Sequence, residues 1–186
     1  MYLVQKVTIE PTEPKPGDTI VVTVSGDGGE MVPVEINFDQ RVPVLNKEFS
    51  VQINKIEVPW SRNTLFIEAS KVEYLKMSVK RLIWISMKIK ATDGIATFTL
   101  NNIPEGKYDI KLSGEALQGA EVTVKVKASS VLRLDEGGTI VYTMNPSCEL
   151  DGNFAVKCNE IYNEVEIKPS KNIEPFLNSG VESRPV

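Results

Sequence analysis

Apolar and polar residues alternate with a period of two along most of this chain. Each alternating segment is short and is followed by Gly, Pro, Asp or Asn, which predicts β-strands separated by turns. No segment longer than about ten residues has a helical period, so we expect almost no helix. The predicted strands are 4–10, 19–25, 34–38, 49–54, 65–69, 74–80, 82–91, 95–100, 107–113, 121–128, 131–134 running on to 139–144, 154–158 and 164–167. This density of strands and turns is typical of an all-β sandwich or barrel.

One pattern occurs three times, at a spacing of about 45 residues. An alternating strand, a Pro or Gly corner and a second strand run from Glu48 to Pro59, and again from Gly94 to Tyr108. A fainter copy runs from Thr139 to Phe154. The spacing is about half of a sandwich domain, so we expect the first and third copies to occupy equivalent hairpins in two successive domains.

The segment 73–90 contains neither Gly nor Pro. It should carry the last strand of one domain almost directly into the first strand of the next, because it lacks the composition of a flexible linker. The sequence therefore predicts two tandem β-sandwich domains, 1–80 and 81–168, joined by a short stiff linker. Residues 169–186 are rich in Pro and polar residues and are predicted to form an extended tail.

Trp84 lies beside this predicted junction. Alternation places it on the strand face opposite Ile83, Ile85, Met87 and Ile89, facing outward. It could serve as a platform for a ligand, but a large aromatic side chain at a junction more often packs in the seam between domains.

Two corners of the chain carry a resemblance to a known class of module. The segment Val7–Thr19 is a strand followed by Pro11, Pro14 and Pro16 and then Gly-Asp, and Asn102–Tyr108 forms a second corner before an outgoing strand. Both are similar to corners in the immunoglobulin-like and fibronectin type III-like modules of microbial, especially archaeal, cell-surface proteins. The resemblance implies an immunoglobulin-like sandwich and a place in the cell envelope or outside the cell.

Composition narrows the function. The chain has 186 residues, 41% of them hydrophobic, with a net charge of −4 and no histidine. A chain without His lacks the most common general base and metal ligand, which removes most hydrolase triads and zinc sites. No basic run supports nucleic-acid binding, and the longest apolar run, 82–85, is too short to cross a bilayer. The first six residues lack the features of an export signal.

Acidic residues occur next to Gly in several turns. They include Asp27-Gly28, Asp93-Gly94, Asp135 with Gly137, and Asp151-Gly152. Such loops can bind calcium through oxygen ligands, but Asp and Gly are also what tight hairpins require, which is the more common use. A pair of carboxylates for glycoside hydrolysis could form only through the tertiary fold, and no local pattern nominates one. We therefore expect no cofactor and no metal site.

The corner 59–63 is the best candidate for recognition. Trp60, Arg62 and Asn63 follow Pro59, and loops at the ends of sandwiches commonly carry binding residues in which Trp and Arg dominate. The alternative is that Trp60 closes the end of the apolar core.

Cys148 and Cys158 are the only cysteines. A disulfide between them would indicate an oxidising compartment. If Asp151-Gly152 is a two-residue turn, the two residues are about 10 Å apart, too far for a bond, whereas a longer loop would allow it. The sequence leaves both arrangements open.

The leading hypothesis is a non-enzymatic structural or adhesion module with a protein or a cell-envelope polymer as partner, located outside the cell or in its envelope. The alternative is a carbohydrate- or peptide-binding module that uses exposed aromatics such as Trp60, Trp84 or Tyr142 on a sandwich face or end loop. A hydrolase with a carboxylate pair ranks third. The oligomeric state stays open.

Overall fold

The computed structural model describes residues 4–15, 17–58, 62–146 and 152–168. These residues form thirteen β-strands and no helix, so the predicted all-β class is confirmed. No helix in the described ranges is long and apolar enough to cross a membrane. The strands are β1 Val4–Glu10, β2 Ile20–Gly26, β3 Met31–Pro43, β4 Glu48–Val58, β5 Asn63–Ser70, β6 Val72–Lys80, β7 Trp84–Lys90, β8 Ile95–Asn101, β9 Gly106–Ala116, β10 Glu121–Arg133, β11 Thr139–Pro146, β12 Gly152–Cys158 and β13 Ile161–Ile167.

The strands form two sheets. One has seven strands in the order β1-β2-β11-β4-β9-β6-β7, and the other has six in the order β13-β12-β3-β10-β5-β8. The strand pairings within them are antiparallel. In the first sheet β11 joins two parts: its beginning pairs with β2, and its last two residues, 145 and 146, pair with β4.

A single apolar core lies between the sheets. It forms because alternate residues of each strand point inward, as in β2, where Ile20, Val22 and Val24 are buried, and in β12, where Phe154 and Val156 are buried. Residues from all parts of the described chain contribute to this one cluster. The arrangement is a two-layer β-sandwich.

The pairings correct the predicted division into two tandem domains at residue 80. Strand β10, from the second half of the chain, lies between β3 and β5 of the first half, and β9 lies between β4 and β6. Each sheet therefore contains strands from both halves. The period-two pattern reveals which face of a strand is buried, but it carries no information about which strand is its neighbour.

The segment 73–90 does not serve as a linker. It forms the β6–β7 hairpin, in which Lys80 lies opposite Trp84 and the chain reverses through residues 81–83. No interdomain seam lies at this position. The composition misled the prediction because a three-residue hairpin loop can reverse the chain without Gly or Pro.

The three copies of the repeated pattern also occupy dissimilar places. Their leading strands are β4 and β11, within the seven-stranded sheet, and β8, at the edge of the six-stranded sheet. The repeat reflects the chemistry that any strand and corner share and does not mark equivalent hairpins. The proline-rich corner does lie outside a ladder as expected, because Pro11 and Pro14 follow the edge strand β1 and lie beyond its last paired residue.

Two of the acidic glycine loops pack against each other at one end of the sandwich. Asp135 organises them: its carbonyl accepts hydrogen bonds from the amides of Gly29 and Gly138, and its carboxylate accepts one from the amide of Thr139 at 2.8 Å. A Cβ on Gly28 would lie 2.5 Å from the carbonyl oxygen of Glu136. These loops therefore act as turns, and Gly28 lies where any side chain would clash with the neighbouring backbone.

Candidate functional site

The described part of the predicted recognition corner lies at one end of the six-stranded sheet. Arg62 is exposed just before β5, while Trp60 lies outside the described residues. Asn63 is the first residue of β5, and its side chain is held in place. Its Nδ2 donates to the Ile103 carbonyl at 2.9 Å, and its Oδ1 accepts from the Ile103 amide at 2.8 Å. These two hydrogen bonds of Asn63 fix the β8–β9 corner, which is a structural role.

A polar groove opens beside Arg62 on the outer face of the six-stranded sheet. Its volume is about 690 Å³, within the usual range of roughly 300–1,000 Å³ for ligand sites. Arg62, Thr64, Asn101, Ser129, Lys157 and Asn159 supply its polar groups. No aromatic residue is among its described lining residues. The groove therefore presents hydroxyls, amides, two cationic groups and the Glu35 carboxylate rather than a stacking platform.

Hydrogen bonds and one ion pair fix the groove's surface. The Thr64 hydroxyl donates to Oδ1 of Asn101 at 3.0 Å, which joins β5 to β8. Glu35 accepts from Lys127, with Nζ 2.7 Å from its Oε2, and from Nδ2 of Asn37 at 3.1 Å. The hydrogen bond from Lys127 is the main reason that the pKa of Glu35 is lowered. Glu35 is therefore a fixed anion in the wall of a groove whose rim is cationic.

A second surface is the strand β7, at the edge of the seven-stranded sheet. Every residue of β7 is exposed, although four of the seven are large and apolar. The apolar residues are Trp84, Ile85, Met87 and Ile89, and Leu82 and Ile83 in the preceding turn are exposed as well. β7 pairs only with β6 among the described strands, so its other backbone edge has no described strand beside it.

The width of the two sheets explains this exposure. Met87 lies opposite Met77 and Ile89 lies opposite Leu75, and both β6 residues are fully buried. Directly opposite residues of an antiparallel pair share a face, so Met87 and Ile89 lie on the core side of the sheet. Yet Met87 is 40% exposed, because the six-stranded sheet has one strand fewer and ends at β8. The core face continues onto β7 without a described layer to cover it.

The outer side of β7 is cationic. Lys88 and Lys90 alternate with the apolar residues, and Lys76 and Lys80 lie beside them on β6. Trp84 lies on this outer side as predicted, half-exposed, with Nζ of Lys80 5.8 Å from its ring centroid. Nζ of Lys88 lies 3.5 Å from the ring centroid of Tyr74. Each such cation–π contact at an exposed site contributes about 0.5–1 kcal/mol.

Most residues of this edge were not candidates on the basis of the sequence. Ile85, Met87, Ile89, Lys88 and Lys90 gave a signal nonetheless, since lysines alternate with apolar residues near the end of Trp84–Lys90. Lysine on a strand that is otherwise apolar is a common feature of sheet edges, where it opposes uncontrolled pairing. We did not interpret this alternation as an edge because the strand was assigned to the start of a second domain.

The remaining candidates receive little support as chemical sites. In the described ranges no three of the Cys, Asp and Glu side chains are grouped so that they could hold a metal ion. An apolar cavity between the sheets, lined by residues such as Ile56, Leu65 and Ile110, has a volume of only about 70 Å³, well below that of ligand sites.

The proposed disulfide lies partly outside the described residues, because Cys148 is not among them. Cys158 is fully buried at the end of β12 and forms no disulfide with a described residue. Burial raises the pKa of its thiol. A buried thiol of raised pKa is a poor nucleophile, so Cys158 acts as a core residue.

No protein-family model, no curated protein and no solved structure significantly matches this chain.

Proposed function

We propose that this chain is a non-enzymatic structural or adhesion module of a secreted or cell-envelope protein, and that it associates with a partner protein through β7. In this proposal the partner adds an extended strand to the open edge of β7. The immunoglobulin-like or fibronectin-like character belongs to the same proposal. It is supported by the two-layer sandwich and by the corner at Tyr108, whose hydroxyl donates to the Pro104 carbonyl at 2.7 Å. A tyrosine hydrogen-bonded to the backbone a few residues upstream is a feature of such sandwiches.

The observation that carries the proposal is the uncovered core face of β7. Ile85 is 61% exposed and Met87 is 40% exposed, and both lie next to a backbone edge that no described strand covers. Adding a strand there would satisfy main-chain donors and acceptors and remove apolar side chains from water in one step. Contiguous exposed apolar surface on a sheet edge is the usual property of an interaction site.

The charge around this edge defines the partner. Four lysines, Lys76, Lys80, Lys88 and Lys90, accompany the edge, although the chain as a whole has a net charge of −4. An incoming strand that alternates acidic and apolar residues would place its carboxylates beside the lysines and its apolar side chains beside Met87 and Ile89. Acidic strands are therefore favoured over neutral or basic ones.

A panel of labelled peptides tests this proposal. The peptides alternate branched aliphatic residues with Glu, Ser or Lys, and binding is followed by fluorescence anisotropy at low and high salt. We expect the acidic peptides to bind most tightly, with an affinity that falls as salt screens the lysines. Ile85→Lys should abolish binding, because an inward-pointing charge on an edge strand blocks strand addition.

The matched control is Val141→Lys, which places the same side chain at a 58% exposed apolar position on β11, a strand inside the sheet. This variant should bind the peptides as the unmodified chain does. Equal binding by the chain and by Ile85→Lys, or no preference among the three peptide charges, would refute the role of β7.

The polar groove beside Arg62 favours a second candidate function, which is recognition of a saccharide or a polar peptide. Its support is the 690 Å³ groove with fixed hydroxyl and amide groups and two cationic residues, Arg62 and Lys157. Glycan and peptide arrays test it, with Arg62→Ala and Lys157→Ala as variants and Lys111→Ala on the other sheet as the control. Array signals that survive both groove variants would exclude the groove.

A further inference from the structure

We propose that the partner strand of β7 is β13 of a second copy of this chain, so that copies join head to tail through two opposite edges of the sandwich. The inference rests on the proposed role of β7 in association and adds the identity of the partner. It follows from the charges of the two edge strands, which are of opposite sign, and from the order of their side chains.

β13 is the acidic edge of the molecule. It is the last strand of the six-stranded sheet and pairs only with β12 among the described strands. Glu164 and Glu166 point to its outer side, and both are exposed. Its inner side carries Val165 and Ile167. The side chain of Asn163, also on the inner side, donates to the Val7 carbonyl of β1, which holds β13 in place without occupying its outer side.

The carboxylates of this edge have local, exposed partners. Glu164 accepts from the Tyr162 hydroxyl at 2.9 Å, and Oε2 of Glu166 lies 3.3 Å from Nζ of Lys168. The side chain of Glu166 is 61% exposed and that of Lys168 is 73% exposed. Such pairs form and break easily in solvent, so both carboxylates can exchange their partners for lysines of an incoming strand.

One antiparallel register matches the two strands at four successive positions. With Lys88 opposite Glu166, the neighbouring pairs are Met87 with Ile167, Ile89 with Val165 and Lys90 with Glu164. In this register the lysines and glutamates meet on the outer side, and the apolar residues meet on the core side. Directly opposite pairs of opposite charge and of branched or long apolar residues each stabilise an antiparallel pair.

Pairing of β7 with β7 of another copy fits less well. It would bring Lys88 and Lys90 of both copies together on the outer side, where β7 offers no carboxylate. Like charges facing each other across strands are destabilising. The lysines thus disfavour the symmetric dimer while they favour the acidic strand, which is how edge charges select a partner.

The geometry also determines the form of the assembly. β13 lies against β1, and β1 is at the other end of the seven-stranded sheet from β7. Each copy therefore offers a basic edge strand and an acidic edge strand on opposite sides of the sandwich. A contact between two different surfaces leaves one of each free and continues into open chains unless the rotation closes a ring. A single strand pair lies at the low end of specific interfaces, so we expect association in the micromolar to millimolar range.

Charge reversal tests the inference with sedimentation velocity. The average mass of the unmodified chain should rise with concentration and fall with added salt. K88E/K90E makes both edges acidic and E164K/E166K makes both edges basic, so each variant alone should lose association by roughly tenfold or more. An equimolar mixture of the two should recover it, because every junction in the mixture again joins a basic edge to an acidic one.

The control K111E/K125E makes the same change in net charge as K88E/K90E, at exposed lysines within the sheets, and should associate as the unmodified chain does. Circular dichroism confirms that each variant is folded. If a reversed variant does not fold, K88Q/K90Q and E164Q/E166Q replace the pair. Each alone should weaken association, and their mixture should recover it only as far as a pair of copies, because the basic β7 of E164Q/E166Q meets the acidic β13 of K88Q/K90Q while the other two edges are neutral.

Three results would overturn the inference: a chain that stays monomeric at the highest concentration, an association that E164K/E166K leaves intact, or a mixture of reversed variants that stays monomeric. The peptide panel separates this failure from failure of the proposed function. A monomeric chain whose β7 still binds acidic peptides retains the role of β7 and lacks only the second copy as partner.

Discussion

Gly138 occupies a position that no other residue fits. Its φ is +74°, and a Cβ there would lie 2.0 Å from the carbonyl oxygen of Gly26. We expect Gly138→Ala to lower the free energy of unfolding by about 2 kcal/mol or more, because the side chain adds a backbone clash to a left-handed conformation. Urea denaturation measures the change.

Gly119→Ala is the matched control for that substitution. Gly119 also has a positive φ, +95°, but no heavy atom lies within 4 Å of the place that a Cβ would occupy there. Gly119→Ala should lower the free energy of unfolding by about 1 kcal/mol, which is the cost of placing a residue with a side chain in the left-handed conformation. Equal losses in the two variants would show that the loops 26–30 and 135–138 can separate without cost.

The ion pair between Glu35 and Lys127 gives stability a small dependence on pH. The pKa of Glu35 is lower in the folded chain than in the unfolded chain, chiefly through the hydrogen bond from Lys127. Its contribution is therefore present above the ordinary glutamate pKa and is lost as the pH falls through the lowered value. Both side chains are partly exposed, so the contribution should stay within roughly 1 kcal/mol.

Comparison of the chain with Lys127→Met by thermal unfolding from neutral to strongly acidic pH tests this. The melting temperatures of the two proteins should differ at neutral pH and converge in acid. A difference that grows as the pH falls would reverse the sign and contradict the assignment.

Cys158 should be unreactive while the chain is folded. It is fully buried, and burial raises the pKa of its thiol, so thiolate is scarce at neutral pH. Iodoacetamide labelling with peptide mapping should find Cys158 unmodified in buffer and modified in urea. Cys148→Ser removes the second cysteine as a source of ambiguity. Rapid labelling of the folded variant would show that the end of β12 opens to solvent.

The candidate site was only partly predictable at the level of single residues. Arg62 lies beside a groove, and its role in recognition stays a prediction. Asn63 was a candidate for the same reason, but its amide holds the β8–β9 corner, a contact between residues 40 positions apart. A sequence shows that an amide is near a corner, whereas only the fold shows whether its hydrogen bonds are already used.

Strand positions were the best-predicted feature at the level of elements. β1 and β12 lie almost where alternation places them, because the burial pattern of a strand is local. Some bounds differed: β3 covers Met31–Pro43 where the pattern predicts 34–38, and residues 131–133 extend β10 instead of joining the strand at 139. The exposure of β7 was not predictable, since it depends on the number of strands in the facing sheet.

Substitutions at Met77 and Met87 test the difference in burial between β6 and β7. The two residues lie opposite each other in the β6–β7 pair, yet Met77 is fully buried and Met87 is 40% exposed. We expect Met77→Ala to lower the free energy of unfolding by about 2–5 kcal/mol and Met87→Ala by less than about 1 kcal/mol. Urea denaturation of dilute monomer provides both values. Comparable losses would mean that β7 belongs to the core and is not an open surface.

The arrangement of strands could not be derived from the sequence at the scale of the whole molecule. β3 and β10 pair along thirteen residues each, although the paired residues are 78 to 102 positions apart in the chain, from Glu121 with Pro43 to Arg133 with Met31. Turn chemistry reports on neighbours along the chain and not on such distant pairs. The absence of Gly and Pro in 73–90 is compatible both with a stiff junction between domains and with a hairpin, so it could not distinguish the two.

The interleaving of the two halves predicts that neither half folds alone. A fragment of residues 1–80 would keep β3 and β5 but lose β10, which lies between them, and a fragment of 81–186 would keep β9 without β4 and β6. We expect each fragment by itself to show the narrow amide dispersion of an unfolded chain in NMR spectra. Mixed fragments should recover dispersion, since the pairings between halves are the interior of both sheets.

A cleavable version of the full chain is the control for that prediction. A protease site inserted in the exposed β6–β7 turn, at residues 81–83, divides the chain at the same place after folding. The cut protein should stay together and keep its spectrum, because the core and the strand pairings of both sheets hold the two pieces. Fragment 1–80 folding alone, or separation of the pieces after cleavage without denaturant, would restore the tandem arrangement that the pairings exclude.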